Sequence, residues 1–165
     1  MKKSDTILIW IVGGIVVLVI AAFAIALVKP KATYMADDSP EGVAFNYLFA
    51  IERGEYERAY GYLSPETKGY PESVDDFRDD IKDYSWEFSN LDSSTALDVI
   101  GTDITGSRAD VTMRVTYFRE GDLFDSGQSS YTFDVTLRED DNGEWKIVNA
   151  DRFWVYCWSD AKGCP

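Results

Sequence analysis

The sequence predicts an α+β domain behind an apolar N-terminal helix. Three features carry this reading. An uncharged apolar run opens the chain, apolar residues recur at helical spacing between Ser39 and Tyr84, and the period changes to two from Leu97 onward.

The apolar run extends from Ile7 to Val28, ILIWIVGGIVVLVIAAFAIALV. As a helix it would rise roughly 33 Å, close to the ~30 Å of bilayer hydrocarbon. Lys2 and Lys3 flank it in front, Lys29 and Lys31 behind, and Trp10 sits near one end where an interfacial indole is common. The run is long for a cleaved signal sequence, although Ala22-Phe23-Ala24 supplies a small-x-small pattern. No cysteine follows it closely, which excludes a lipoprotein anchor. The expectation is a single-pass transmembrane helix over 7–28, with residues 1–6 as a flank and 29–38 as a linker. The N-terminus would lie inside the cytoplasmic membrane and the domain 39–165 outside the cytoplasm.

Ser39-Pro40-Glu41 reads as a helix start, with Ser39 as N-cap and Pro40 in the first turn. Val43, Tyr47, Leu48 and Ile51 fall on one face, and Gly54 closes the helix. EYERAYGYLS forms a second helix that Pro65 ends. In SVDDFRDDIKDY, Ser73 caps a third helix whose buried stripe is Val74, Phe77, Ile81 and Tyr84. Asp76, Asp79, Asp80 and Asp83 lie largely on its other side and read as a solvated face rather than a metal site.

ALDVIGTDI is a first strand, turned back at Gly106-Ser107. In RADVTMRVTYF, Ala109, Val111, Met113, Val115 and Tyr117 share one face. After a loop containing Gly121 and Gly127, Tyr131, Phe133, Val135 and Leu137 repeat the pattern. Asp140-Asp141-Asn142-Gly143 is a hairpin turn into EWKIVNA. It is not a calcium loop: with Gly143 at the sixth position, Arg138 and Asn149 would fall where carboxylates are required. FWVYCW, apolar on both faces, is read as a last strand buried on both sides. The helices must cover one face of a curved antiparallel sheet of four to five strands.

Composition excludes several functions. The chain has 29 Asp and Glu against 16 Lys and Arg, a net charge of −13, so nucleic-acid binding is disfavoured. It has 0 His, which removes His-based triads, general bases and metal ligands. Its 2 Cys cannot build a four-ligand zinc site, and no cofactor or metal is expected. Cys157 and Cys164, close in sequence with Gly163 between them, read as a disulfide pinning the tail.

The succession of GEYERAYGYLSPE, a capped third helix, ADVTMRVTYF and a hairpin closing on GEWKI resembles the nuclear transport factor 2-like superfamily, the cystatin-like α+β cone. The likeness covers about residues 39–158 and is nearest to small bacterial membrane-anchored members. It implies a cone of helices on a curved sheet. Members serve as ketosteroid isomerase-like and polyketide cyclase-like enzymes, as small-molecule binders, or as assembly modules. A periplasmic component of type IV secretion systems shares the layout of one membrane helix followed by such a domain.

The expected function is a non-catalytic, membrane-anchored binding or assembly module of the cell envelope. The alternative is a small-molecule pocket or a weak isomerase- or cyclase-like enzyme. Expected partners are the membrane, an envelope protein or a second copy of the chain, and a small apolar ligand. Candidate pocket residues are Tyr47, Tyr60, Tyr117, Tyr131, Trp154 and Trp158. An open cone with an ionisable group at its base would favour the ligand. A cone filled by its own side chains would favour assembly.

Overall fold

The computed structural model describes residues 3–27, 33–89, 91–92, 94–119 and 127–164, with side chains in the first helix given for 10–23. Val28, Lys29, Pro30, Lys31 and Gly121, which figure in the sequence reading, lie outside the described residues, as does Lys2. The chain divides into two compact units, Met1–Thr33 and Tyr34–Pro165.

The first unit holds helix α1, Lys3–Leu27. Among the described residues, no helix is long and apolar enough to cross a membrane. This overturns the predicted membrane-spanning helix over 7–28. The single-pass placement, with N-terminus inside and domain outside the cytoplasm, falls with it.

The second unit contains α2 (Pro40–Glu52), α3 (Tyr56–Gly61), α4 (Val74–Asp83) and the short α5 (Ser85–Phe88). Four strands follow: β1 (Thr95–Thr105), β2 (Arg108–Phe118), β3 (Gln128–Glu139) and β4 (Trp145–Ala150). The expected caps are in place. Ser39 Oγ accepts from Gly42 N at 3.2 Å, and Ser73 Oγ accepts from Asp76 N at 3.2 Å. Gly54 follows the C-cap of α2 with φ 70°, a conformation that suits glycine. α5 was not expected; its single turn is too short to carry a period.

The strands form an antiparallel meander in the order β1-β2-β3-β4. Register puts Val115 opposite Tyr131, Met113 opposite Phe133, Val111 opposite Val135 and Ala109 opposite Leu137. These residues form the inner face, where all but Tyr131 are buried. Helix α2 lies across it and touches all four strands. The outer face is polar, as the alternation predicts: Thr112 donates to Asp134, and Thr136 donates to Asp110. Extra residues between Val99 and Gly101, and opposite Thr136 and Leu137, put bulges into β1 and β4.

One predicted strand is absent. FWVYCW does not join the sheet: residues 151–154 bend, and Tyr156–Ser159 forms a 3-10 helix. Phe153 has φ 55°, a left-handed conformation no regular strand contains. The segment is apolar on both sides because it packs as a plug, not because it is a covered strand. Phe153, Trp154, Val155, Cys157 and Trp158 are all buried.

Cys157 and Cys164 are disulfide-bonded at a sequence separation of 7. On the chain-entropy account, a loop this short is worth about 2 kcal/mol. Cys164→Ser is therefore expected to lower the stability of the full chain by about that amount in denaturant unfolding. Reductant should give a similar loss in the parent and none in the variant.

Gly69 donates its N–H to the Trp158 carbonyl at 2.9 Å, and a Cβ there would lie 2.0 Å from the Cys157 carbonyl oxygen. Gly61, on exposed α3, has nothing within 4 Å of that position. Gly69→Ala should cost about 1–3 kcal/mol or more by forcing tail and loop apart. Gly61→Ala should be neutral or stabilise by up to about 1 kcal/mol. Thermal unfolding of the two variants checks both.

Candidate binding site at the mouth of the cone

The six predicted pocket residues divide between two aromatic runs. Tyr47, on α2, is fully buried, and its hydroxyl donates to the Phe153 carbonyl at 2.9 Å. Trp158 is fully buried and stacks on Phe77 with centroids 5.1 Å apart. Trp154 meets Trp158 edge-on at 5.1 Å, and its indole donates to Ser159 Oγ at 3.0 Å. Tyr60 donates to the Pro71 carbonyl and packs against Tyr70 and Phe77. These four fill the interior.

Tyr117 and Tyr131 stand apart from them. They project from the inner face of β2 and β3 where those strands meet the β2–β3 connection, and both are half-buried. Their hydroxyls are 2.7 Å apart and their rings 5.6 Å apart. Tyr131 continues inward through Phe133 to Phe153. The Arg152 guanidinium lies 5.0 Å over the Tyr131 ring. Arg119 donates from Nη2 to Ser129 Oγ at 3.0 Å. Among the described residues neither arginine has a carboxylate partner.

Tyr117, Tyr131, Arg119 and Ser129 line an open groove of about 510 Å³, completed by Asp92 and Ser94. Burial pushes the Tyr117 hydroxyl well above the ordinary phenol range; the Tyr131 hydrogen bond adds to this and Arg152 opposes it. Tyr117 is therefore protonated near neutral pH. One hydroxyl donates to the other, which leaves one O–H to offer outward. Asp92 is held below the ordinary carboxylate range, first by the Ser94 hydroxyl and backbone N–H. Burial holds Glu52, at the end of α2, above its ordinary range, and Asp92 reinforces this. The groove can thus grip a flat apolar group through its rings and an oxygen acceptor through the hydroxyl pair.

The sequence reading missed Asp80. Taken as part of a solvated face, it is half-buried and accepts from Trp158 Nε1 at 2.7 Å. Its place beside Ile81 and three residues after Phe77 is the available signal, since it sits on the border of the buried stripe. Arg152 was missed because only the fold lays it over Tyr131, and Glu52 because only the fold brings it within reach of Asp92. Among the described residues, no group of three or more acidic or cysteine side chains could hold a metal ion.

Burial holds the Asp80 carboxyl above the ordinary aspartate range; the Trp158 bond opposes this, and Asp76, Asp83 and Asp79 reinforce it. A carboxyl raised in the folded state takes up its proton more readily there than in the unfolded chain. Its ionisation costs stability above the folded-state value, and the cost fades as pH falls from that value towards the ordinary one of about 3.9. Asp80→Asn keeps an acceptor for Trp158. It should be more stable than the parent near neutral pH, with the gap closing towards about pH 4 in unfolding curves followed by tryptophan fluorescence.

No family model matches the chain, and no curated protein does. Solved structures do resemble it. A SEC-C motif containing protein from Rhodopseudomonas palustris is 18% identical, with 71% of this chain and 80% of that one covered and a TM-score of 0.47. A candidate ketosteroid isomerase from Shewanella frigidimarina is 16% identical, covering 72% and 98%, at a TM-score of 0.44. A nuclear transport factor 2-like superfamily protein from Salmonella enterica is 16% identical, covering 68% and 85%, at 0.41. The structural neighbours include proteins described as nuclear transport factor 2-like or as having a cystatin-like fold.

Proposed function

We propose that this protein is a non-catalytic binding module that engages its partner at the rim of the cone, around Tyr117 and Tyr131, rather than inside it. One observation carries the reading. The interior positions that a ligand would need are occupied by Tyr47, Phe77, Phe153 and Trp158, each at most 1% exposed. What the domain offers outward is the groove with its tyrosine pair and two arginines that have no carboxylate partner among the described residues.

A second reading draws on Glu52. A carboxyl raised by burial, within electrostatic reach of the groove residue Asp92, together with a protonated Tyr117 is the equipment of proton abstraction next to a carbonyl. The binding reading is preferred because the groove is open to water, which weakens hydrogen-bond stabilisation of a developing charge.

Native mass spectrometry of the full chain, purified gently from cells, tests the proposal. The expected result is a complex with a second copy or another protein that the double variant Tyr117→Ser, Tyr131→Ser dissociates. A monomer whose extra mass is one small apolar molecule, retained by the double variant, would overturn it.

A further inference from the structure

A second cleft lies away from the tyrosines, where the loop after α3 meets the β4 edge. Tyr62, Leu63 and Ser64 run beside β4: Ile147 N donates to the Tyr62 carbonyl, and Ser64 N donates to the Ile147 carbonyl. The chain then passes Thr67 and Lys68 before Gly69 docks on the tail. Thr67, Lys68, Arg138, Asn149 and Ser159 line a hollow of about 360 Å³, with Glu66 as the carboxylate of the lining.

Three observations converge on it. First, Arg108, Arg138 and Lys146 stand directly opposite one another across β2, β3 and β4. Like charges in that position repel. Arg108 is neutralised by a two-pronged bond to Asp110, and Lys146 by Glu144. Arg138, between them, has no carboxylate partner among the described residues, although an acidic turn follows it closely. Asp140 of that turn spends its carboxylate on the Asn142 and Glu144 amides. Second, Lys68 has no ion pair among the described residues either, in a chain of net charge −13. Third, the Thr67 side chain is 8% exposed, and its buried hydroxyl has no hydrogen-bond partner. Buried hydroxyls are ordinarily paired.

The neutral donors are oriented as well. Trp154 Nε1 donates to Ser159 Oγ, which donates to Asn149 Oδ1 at 3.2 Å. Fixing the amide oxygen in this way leaves both N–H donors of Asn149 unspent. The hollow therefore gathers an ammonium, a guanidinium and an amide donor pair, with the unpaired hydroxyl of Thr67 buried in its wall. Such a set matches a tetrahedral oxyanion, which needs several donors around one compact charge.

We propose that this cleft binds a phosphate-type oxyanion, free or as the phosphoryl group of a small molecule, through Lys68, Arg138, Thr67 and Asn149. The site is distinct from the tyrosine groove and does not depend on the function proposed for it.

The test is titration of the full chain with inorganic phosphate, with potassium chloride matched for ionic strength, read by nitrogen–proton NMR and by thermal unfolding. Saturable shifts at Thr67, Lys68 and the Asn149 side chain are expected with phosphate and not with chloride. Lys68→Gln and Arg138→Gln should each weaken binding about tenfold or more. Thr67→Val should weaken it several-fold without lowering the stability of the anion-free protein. Lys162→Gln, an exposed cation elsewhere, should leave it unchanged. Glycerol phosphate binding as tightly as inorganic phosphate would assign the site to a phosphoryl group on a larger molecule; phosphate binding alone would assign it to the free anion. The proposal is overturned if no shift saturates, if acetate binds as tightly as phosphate, or if binding survives the double variant Lys68→Gln, Arg138→Gln.

Discussion

The seating of Trp158 holds the closed end of the domain together. Its ring stacks on Phe77 of α4, its indole N–H is fixed by Asp80 one turn further along, and its carbonyl takes the Gly69 amide. One residue near the C-terminus thus ties α4, the loop after α3 and the tail to each other. Burying a tryptophan removes about 200 Å² from water, roughly 5 kcal/mol at the usual coefficient. That is a large share of the net stability of a small domain. The disulfide acts on the same element: it closes the loop behind the 3-10 helix and reduces the freedom of the tail when Trp158 leaves its seat.

This anchor explains why the cone is full. The meander curves, and α2 crosses its inner face with Tyr47 pointing inward. α2 cannot fill the whole concavity. The tail supplies the remainder: Phe153 inserts against Phe133 and Phe88, and accepts the Tyr47 hydroxyl bond on its carbonyl. Phe153 holds a left-handed backbone to do so, a cost of about 1–2 kcal/mol that its buried ring offsets. The interior is built from α2, the sheet and the tail together.

Local features of the chain were legible in the sequence where one residue type decides the matter. Ser39 and Ser73 mark helix starts because a hydroxyl there answers a free N–H, and both do. The odd-numbered residues of β2 mark a buried face because the period of a strand is two, and Ala109 to Val115 are fully buried. FWVYCW was misread because an apolar segment without a polar side fits a covered strand and a folded plug equally well. Only the left-handed turn at Phe153 separates them, and no local signal announces it. The front of the chain was read on hydropathy, and among the described residues no helix is long and apolar enough to cross a membrane. Of the six aromatic candidates, residue type could say that they bury surface. It could not say that Trp158 would meet Asp80, 78 residues away, or that Tyr117 and Tyr131 would share one hydrogen bond at the rim.

A full cone moves recognition to the places where the plug and its neighbouring loop meet the sheet. At the rim, Arg152 lies one residue before Phe153, so the turn that inserts the plug also lays a cation over Tyr131. At the β4 edge, Ser159 follows Trp158 directly, and the seat of the plug sets the Trp154–Ser159–Asn149 chain of hydrogen bonds. Both candidate surfaces are therefore assembled by the same tail, on opposite sides of its anchor. Several cations of this acidic chain are paired with nearby carboxylates, as Arg53, Arg58, Arg78 and Arg108 are. Among the described residues Arg119, Arg138 and Arg152 have no such ion pair, and each sits at one of these two surfaces, while Arg114, also without one, lies on the outer face of β2. Leaving a guanidinium without its carboxylate next to a packed junction keeps its donors available to something outside the chain.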